Sequence, residues 1–599
     1  MTKNFISICF ISFSYLTINC AQVQNNPEIT SEEIKEHISY LASDELKGRF
    51  TGTDECLQAA EYIEKEFRSY GLLPFFGDSY LQKFPFTADI ELTDNNKLSI
   101  ASGDIKISSK LYEDFTPLSF SGKTNTSGKL VFAGYGISVP DIGYDDYEGI
   151  DITGKIVLVL RDHPEMDIPH SKFDEYSPLR KKAMVARDKG ALAIIFVNGY
   201  NPHNTNDELV QLSYDHAGSM NDFAVLNIKR EIAEKIFDLQ SLKLKDYQDK
   251  IKESLKPASF KFENVTTTLS TELQPIGKES WNVAGLIEGN DPQLKNQYII
   301  VGAHFDHLGM GGRNSLYTGN DPQVHNGADD NASGTTGVLE LAEKFANDKD
   351  KIKRSIVFTT FSGEELGLLG SAYFVNNLSL PGNDVAAMIN MDMIGRLNDE
   401  NSLIVHGTGT STNWKEILNN NNKYNFNLTF NDEGFGPSDH SSFYGKEIPV
   451  LFFFTGTHED YHRPSDDADK INFNGEKEIL DYVHNIISEI DAEMEKPDYL
   501  LVERKEIENM PTRKVWVGTI PDFAGNVDGY KISGVSEGGP AQVAGLLGGD
   551  IIIEFGEKKI SNIYDFTYAI GDYVPGDTVN VVVKRGEEEL TFQIELGSR

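Results

Sequence analysis

The sequence predicts an α/β protein with one large sheet covered by helices on both faces and two smaller, β-rich units. Three observations support this prediction. Near-continuous apolar runs alternate with helical segments from residue 281 to residue 492, which is typical of a doubly covered parallel sheet. Short β-like runs separated by Gly turns occupy residues 92–270, and residues 513–599 are β-rich again. A chain of 599 residues is also long enough for roughly three or four domains.

The chain is strongly acidic, and its charge excludes one class of partner. It carries 92 acidic and 55 basic residues, which gives a formal net charge of −37. Such a field repels phosphate backbones and anionic lipid surfaces, so we expect no nucleic-acid partner. The simplest role of this charge is a well-solvated surface.

The N-terminus predicts export. A single Lys precedes an apolar run, Phe5–Ile18, which is too short to span a bilayer as a mature helix. Residues 1–20 are therefore interpreted as a signal peptide. Cys20 ends a loose lipoprotein-type cleavage box, so lipid attachment at Cys20 and ordinary secretion stay as alternatives. Removal of Cys9 with the signal leaves Cys56 without an internal disulfide partner.

The remaining elements follow in chain order. Two amphipathic helices are predicted within residues 21–91, the first after a Thr/Ser cap and the second ending at Gly71. The small mixed unit of residues 92–270 comes next, and the main sheet follows in residues 271–496. A Pro- and charge-bearing stretch, residues 497–512, is interpreted as a linker to the last unit, residues 513–599. The strands and helices predicted for the main sheet are "WNVAGLIEG", "YIIVGA", "SGTTGVLELAEKFA", "SIVFTTF", "ELGLLGSAYFVNN", "AAMINM", "PVLFFFT" and "GEKEILDYVHNIISEIDAEM".

Histidines and carboxylates follow the core strands. In open α/β sheets, ligands bind beyond the carboxyl ends of the strands, so these residues are expected to meet there. The segment "GADDNASG" precedes a predicted helix, and one of its carboxylates is expected to join this group of residues. The residues that follow the four strands are His304, Asp306 and His307, then Glu364 and Glu365, then Asp392, then His462.

A charge count connects this cluster to a two-metal site. Three carboxylates and one hydroxide offset two divalent zinc ions, and two neutral imidazoles complete the coordination. One Asp of the pair Asp329 and Asp330 is needed to fill the set, together with His304, His462, Glu365 and Asp392.

This count leaves Glu364 without a role as a metal ligand. A spare carboxylate beside a metal-bound water is what a hydrolase needs as its general base. Neighbouring residues at a helix start point about 100° apart, so one Glu can face a metal and the other a water. Asp306 is expected to orient the His304 imidazole from outside the ligand set.

The motifs "GAHFDHLG", "HNGADDNASG", "FSGEELGLLGS", "NMDMIG", "GPSDHSSFY" and "YHRPSDD" occur in this order. Together they resemble the co-catalytic di-zinc aminopeptidase family, which also contains glutamate carboxypeptidase and glutaminyl cyclase relatives. The resemblance covers about half of the chain and implies a phosphorylase/hydrolase-like, doubly wound mixed sheet of the zinc exopeptidase type.

The same resemblance implies a role for each residue of the site. Asp330 would bridge two zinc ions about 3.5 to 4 Å apart that share a hydroxide, and Glu364 would be the general base. Asp329 would then stabilise the turn or position the metal ligands. The implied ligands are His304, Asp330 and Asp392 for one zinc, and Asp330, Glu365 and His462 for the other.

Other residues near the motifs receive weaker assignments. Ser438, Asp439 and His440 match a family segment near the substrate pocket, so they are candidate pocket residues, with a hydrogen-bonded loop as the alternative. The surplus histidines are interpreted as structural or as supporting the ligands; they are His307, His325, His406 and His458.

Two further modules are recognised by resemblance. The segments "FAGYGISVPDIGYDDYEGIDITGKIVLVLRD" and "KKAMVARDKGALAIIFVNG" resemble a protease-associated (PA) domain, which would shape or cover substrate access; a passive insert is the alternative. The segments "VWVGTIPDFAG" and "SEGGPAQVAGLLGGDIIIEFGEKKISNIYDF" resemble a bacterial PDZ domain, a module that holds an extended peptide against a sheet edge.

These features together predict a secreted or envelope-anchored zinc exopeptidase, most simply an aminopeptidase acting on peptides. The same metal site could instead serve a carboxypeptidase, deacylase or glutaminyl cyclase, because pocket contacts choose the substrate. A carboxypeptidase needs a basic clamp, for which Arg313, Arg396 and Arg463 are candidates. A peptide-binding scaffold without activity is the third alternative. Manganese or cobalt could replace zinc at His and carboxylate ligands.

Overall fold

The structure is a computed structural model of the chain. The predicted signal peptide with Cys20, and much of the predicted linker, lie outside the residues that it describes. Those residues are 28–166, 168, 171–200, 206–214, 218–312, 314–317, 319, 321–378, 380, 385–458, 460–502, 515–521, 527–535, 539–561, 563–570, 573, 576–586 and 588–598.

Two capped helices open the described chain, α1 (Ser31–Leu41) and α2 (Asp54–Tyr70), with a 3₁₀ segment, Asp44–Arg49, between them. The Thr30 hydroxyl accepts the Glu33 amide before α1, and the Thr53 hydroxyl accepts the Cys56 amide within α2. These contacts satisfy amides that the first helical turn leaves free. Two strands follow, β1 (Leu73–Pro74) and β2 (Leu81–Leu92).

The next segment forms a sheet of its own with helices α3 (Leu179–Asp188), α4 (Arg230–Asp238) and α5 (Leu244–Ser254). The sheet order is β4-β3-β12-β6-β9-β10-β11-β5, with parallel pairing from β6 through β11, and β7 pairs with β8 separately. Its strands are β3 (Lys97–Ser102), β4 (Ile105–Ser109), β5 (Phe115–Pro117), β6 (Thr124–Phe132), β7 (Ser138–Val139), β8 (Tyr144–Asp145), β9 (Ile156–Leu160), β10 (Ala193–Val197), β11 (Ala224–Ile228) and β12 (Phe260–Thr271). Short 3₁₀ turns lie at Pro140–Ile142 and Asp174–Tyr176.

The large sheet is mixed, in the order β1-β13-β15-β14-β16-β19-β17-β18, with β2 paired to β13. Its strands are β13 (Leu273–Ile287), β14 (Tyr298–His304), β15 (Ser355–Phe361), β16 (Val385–Met391), β17 (Ser402–His406), β18 (Asn427–Asn431) and β19 (Val450–Phe454). Its helices are α6 (Gly334–Asn347), α7 (Leu369–Asn376), α8 (Trp414–Asn421), α9 (His440–Tyr444) and α10 (Phe473–Ala492). Ala328–Ser333 forms an irregular, π-type turn before α6, with non-helical backbone at Asp330 and Asn331, and 3₁₀ turns lie at Lys349–Lys351 and Ala468–Lys470.

The middle of this sheet is parallel and the flanks are antiparallel. Strands β15, β14, β16 and β19 run in one direction, whereas β13 and β17 pair antiparallel with their neighbours. Every residue of β14, β15 and β16 is buried, because separate apolar clusters cover the two faces of the sheet. Parallel strands share one carboxyl edge, so the residues that follow them meet there.

The C-terminal part forms a small sheet in the order β21-β22-β23-β25-β26, with β24 on β23 and a separate pair of β20 and β27. Its helices are α11 (Pro540–Ala544) and α12 (Ile563–Ile570). Its strands are β20 (Val515–Trp516), β21 (Thr519–Pro521), β22 (Tyr530–Val535), β23 (Ile551–Phe555), β24 (Lys558–Lys559), β25 (Thr578–Arg585), β26 (Glu588–Glu595) and β27 (Gly597–Ser598). Among the residues described across the whole chain, no helix combines the length and the apolar character that crossing a bilayer requires.

Candidate metal centre

The four parallel strands deliver their polar residues to one edge of the sheet. His304 is the last residue of β14, and Asp392 directly follows β16. Glu364 and Glu365 follow β15 after a short turn, and His462 lies in the loop after β19. The spatial gathering of these side chains follows from the parallel order of the central strands.

Asp330 lies between the two histidines. Its Oδ1 is 3.4 Å from His304 Nε2, and its Oδ2 is 3.3 Å from His462 Nε2. The two oxygens of one buried carboxylate therefore face different imidazoles, which is the arrangement that a carboxylate bridging two cations requires.

Each histidine also faces a second carboxylate. His304 Nε2 is 3.4 Å from Asp392 Oδ2, and His462 Nε2 is 3.3 Å from Glu365 Oε2. A tetrahedral ion with bonds of about 2.0 to 2.1 Å separates its ligand atoms by about 3.3 Å. The separations around His304 and His462 have this value, so the clustered histidines and carboxylates have the spacing of metal ligands.

The other ring nitrogen of each histidine is anchored to the main chain. His304 Nδ1 lies 3.1 Å from the carbonyl oxygen of Asp306, and His462 Nδ1 lies 2.8 Å from that of Asn314. A carbonyl oxygen accepts only, so Nδ1 carries a proton and Nε2 is the nitrogen that faces the carboxylates. Such anchoring orients the ring and leaves Nε2 to bind a cation once its own proton is lost.

Asp306 supports the site in a different manner from the one expected. Its main-chain carbonyl contacts His304, while its carboxylate Oδ1 is 3.8 Å from the same ring nitrogen. The carboxylate instead accepts the Thr51 hydroxyl at 2.7 Å and the Glu364 amide at 3.2 Å. Asp306 thus connects the end of β14 with the main chain at Glu364.

Glu364 stands beside the two clusters without joining either histidine closely. Its Oε2 is 3.9 Å from His304 Nε2, and its side chain is 12% exposed. Burial raises the pKa of Glu364 well above its usual range, and the nearby carboxylates Asp392 and Asp439 add to this although His304 opposes it. A carboxylate with a raised pKa beside a cation site can take up and release a proton.

The electrostatics of the site call for cations. Burial lowers the pKa of His462, but the contacts with Asp330 and Glu365 raise it, to about 10 overall. Burial would raise the pKa of Asp330, yet the surrounding imidazoles hold it well below its usual range. Buried carboxylates require such positive partners, and divalent ions supply them most fully.

Asp329 is turned away from the clusters. Its Oδ1 accepts the Gly395 amide at 2.7 Å and the Ser333 hydroxyl at 3.1 Å, while its Oδ2 lies 3.1 Å from His458 Nε2. The two adjacent aspartates therefore have different surroundings: Asp330 faces the histidines and Asp329 stabilises the turn ahead of α6.

The three candidate pocket residues are buried next to the site. Ser438 donates its hydroxyl to Asp392 Oδ2 at 2.7 Å and accepts the Asn390 amide at 2.8 Å. Asp439 and His440 are both fully buried, the latter stacked on Phe452. Burial raises the pKa of Asp439 to about 7 and lowers that of His440 to about 3. The assignment of these three residues to the substrate pocket stays a prediction.

Two supporting residues have no role in the sequence interpretation. Asp466 Oδ2 accepts the main-chain amides of Asp329 and Asp330, each at 3.0 Å. The buried Arg49 donates to the carbonyl oxygens of Phe305 and Gly327 at 2.7 and 3.0 Å. Asp466 lies in the motif "YHRPSDD", so the sequence could have indicated a role for it in the site. Nothing in the sequence singles out Arg49.

The remaining candidates have partners away from the clusters. His325 Nε2 lies 2.7 Å from the Ser315 hydroxyl, and His406 stacks on Phe452. Arg396 forms ion pairs with Asp460 at 3.1 Å and Asp466 at 3.4 Å. Arg313 lies outside the described residues.

Comparison with known proteins agrees with this geometry. Residues 282–487 match peptidase family M28, residues 126–236 match the PA domain and residues 501–596 match the PDZ domain. The central region is a peptidase family M28 domain. The predicted combination of a peptidase, an inserted PA module and a C-terminal PDZ module is confirmed by these matches.

Curated relatives of the M28 domain include two fungal proteins. Leucine aminopeptidase 2 of Arthroderma otae is 30% identical over 202 residues, which cover 32% of this chain and 37% of that protein. A probable zinc metalloprotease of Pyrenophora tritici-repentis is 41% identical over 121 residues, which cover 20% of this chain and 25% of that protein. The chain thus spans about a third of the length of the curated relatives it matches.

Solved structures similar to the chain include an aminopeptidase from Aneurinibacillus sp. strain AM-1. It is 23% identical, with a TM-score of 0.46, and the match covers 80% of this chain and 97% of that chain.

Proposed function

We propose that the protein is a zinc-dependent aminopeptidase that hydrolyses N-terminal residues from peptides. The observation that carries this proposal is the position of Asp330 between two histidine and carboxylate clusters, with Glu364 left free beside them. The M28 match and the names of the curated relatives support the same reaction class.

Two zinc ions would be held in this domain, with manganese or cobalt as alternative occupants. His304, Asp330 and Asp392 would hold one ion, and Asp330, Glu365 and His462 the other. Bound zinc would polarise the scissile carbonyl and lower the pKa of water.

Glu364 would be the general base of the reaction. Its carboxylate would accept a proton from the attacking water and donate it to the leaving amine. The Glu364 amide donates to the Asp306 carboxylate at 3.2 Å, and this contact fixes the main chain from which the side chain extends. The negative charges of Asp392 and Asp439 favour the protonated form of Glu364 between the two transfers.

The name of a curated relative, leucine aminopeptidase 2, favours a substrate with a free amine. A carboxypeptidase would need a basic side chain for the substrate carboxylate, and Arg396, one of the three candidates, is already paired with Asp460 and Asp466. These ion pairs argue against Arg396 as that clamp.

A panel of peptides with free amine, blocked amine or blocked carboxyl ends tests this proposal by mass spectrometry. We expect release of the N-terminal residue from free-amine peptides, no cleavage after blocking the amine, and loss of turnover with a chelator. Cleavage of amine-blocked peptides would indicate a deacylase or carboxypeptidase. Formation of pyroglutamate from N-terminal Gln would indicate a cyclase. Absence of any chelator-sensitive turnover would indicate a binding scaffold.

The flanking modules and the N-terminus would serve this activity outside the cytoplasm. The PA insert would shape access to the site, and the PDZ module would hold an extended peptide as its ligand.

Export would deliver the enzyme to the bacterial cell envelope, as a periplasmic or outer-membrane lipoprotein anchored at Cys20, or to the medium. Replacing Cys20 with Ser and following membrane association distinguishes the anchored form from the secreted one.

A further inference from the structure

His307 is a buried histidine that contacts the metal centre without belonging to the expected ligand set. It lies three residues beyond His304, and its Nδ1 is 2.7 Å from Glu365 Oε1. The ring is fully buried, and its Nδ1 is 3.8 Å from Asp330 Oδ2. Since a carboxylate oxygen accepts, Nδ1–H is the donor of this hydrogen bond.

The distances decide whether His307 is itself a ligand. Two ligands of one tetrahedral ion lie about 3.3 Å apart, which is the separation of His462 Nε2 from Glu365 Oε2. The 2.7 Å between His307 and Glu365 is too short for two such ligands and has the length of a charge-assisted hydrogen bond. The two oxygens of Glu365 therefore divide their roles: Oε1 accepts from His307, and Oε2 faces the cluster around His462.

The His307 ring packs closely against a neighbouring glycine. Gly327 adopts a φ of +57°, and a side chain there would place its Cβ 2.5 Å from His307 Cδ2. The main chain of Gly327 thus packs directly against the imidazole. The main chain of His307 is held as well: its amide donates to the Arg49 carbonyl at 3.4 Å, and Phe50 pairs with His307 as a parallel bridge.

We propose that His307 is a positioning residue that holds Glu365 with a single oxygen toward the cation of the His462 cluster. The inference rests on the proposed function of this site. A carboxylate that can rotate binds a cation less tightly and with variable denticity, and loss of such an outer hydrogen bond typically costs about 10- to 100-fold in metal affinity. We expect the larger effect at the ion of the His462 cluster, because His307 hydrogen-bonds Glu365 at 2.7 Å and lies 3.8 Å from Asp330, which both ions would share.

The test compares zinc binding to metal-free full-length wild type, His307→Ala and His307→Asn by calorimetry with chelator competition. Asn can place its amide nitrogen near the position of Nδ1, so it restores the donor. In His307→Ala we expect one of the two zinc affinities to fall about 10- to 100-fold and the other to change less than about threefold. His307→Asn should recover most of the lost affinity. His325→Ala is the matched control, since it removes an equally buried imidazole that contacts Ser315.

Visible spectra of the cobalt-loaded proteins provide a second measurement. A change in coordination at one ion in His307→Ala, absent in His307→Asn and His325→Ala, supports positioning of Glu365. Equal weakening of both ions, an unchanged affinity in His307→Ala, or no rescue by Asn overturns the inference while leaving the proposed function intact. Failure of the wild type itself to bind zinc or cleave peptides would instead reject the proposed function.

Discussion

The carboxylate of Asp466 anchors Asp330 through the main chain. Its Oδ2 accepts the Asp330 amide at 3.0 Å, and the same oxygen accepts the Asp329 amide. The Asp466 carbonyl also accepts the Ala328 amide at 3.0 Å. One residue of the loop after β19 therefore fixes the turn that carries the bridging carboxylate.

Replacing Asp466 with Ala should displace Asp330 and weaken metal binding. We expect about 10- to 100-fold lower zinc affinity with a parallel loss of kcat/KM, because the outer contacts of ligands are worth this much. Asp466→Asn retains an acceptor oxygen for the two amides and should lose less. Asp467→Ala, one residue further on, removes a contact with Asn326 Nδ2 and serves as the control. Equal effects at the two positions would argue against an anchoring role for Asp466.

The two adjacent aspartates should respond differently to the same substitution. Asp330→Asn should lose metal and activity together, because one oxygen of the bridge becomes an amide. Asp329→Asn should keep the metals and cost about 1 to 3 kcal/mol of stability, since the amide oxygen can still accept from Gly395 and Ser333 but the Oδ2 that faces His458 is replaced by nitrogen. Metal analysis and thermal unfolding of both variants test this difference. Loss of metal from Asp329→Asn would show that the assignment is reversed.

Glu364→Ala should separate metal binding from catalysis. The side chain is 3.9 Å from His304 Nε2 and is not required to fill either cluster, so we expect both metals to remain. The rate should fall by about 10² or more, which is the usual contribution of a positioned general base. Metal content and kcat are measured on the same preparation. An active variant would exclude Glu364 as the base.

Glu340 should make the stability of the M28 domain dependent on pH. Burial raises the pKa of this α6 carboxyl to about 9, with Glu33 and Glu343 adding to the effect. Because the folded-state pKa lies above the unfolded value, the stabilising contribution is complete at low pH and is lost as the pH rises toward about 9. His37 Nε2 lies 3.6 Å from the carboxylate, but burial lowers the pKa of His37 to about 4, so it offers no charge at neutral pH.

Glu340→Gln should therefore raise Tm more at pH 8.5 than at pH 5.5, because the amide needs no deprotonation. Unfolding followed by circular dichroism at both pH values measures the difference. The exposed Glu416→Gln on α8 is the control and should show no such trend. A benefit that is the same at both pH values would indicate a packing effect instead of a titration.

The amino-acid sequence by itself determined the strands of the main sheet and the residues that follow them. The apolar runs ending at His304, Phe361, Met391 and Phe454 match buried parallel strands, because such runs are stable only between two covered faces. Parallel strands end on one edge, so the convergence of the histidines and carboxylates could be expected before the structure was examined.

Tertiary structure alone decided which atoms meet at that edge. The opposite orientation of Asp329 and Asp330 depends on the amides held by Asp466, which lies 136 residues beyond Asp330 in the chain. The burial of Asp439 and His440, and the contact of His307 with Glu365, likewise depend on packing between distant segments. The spacing of residues specifies the elements and their ends, but side-chain partners are set by the close packing of elements far apart in sequence.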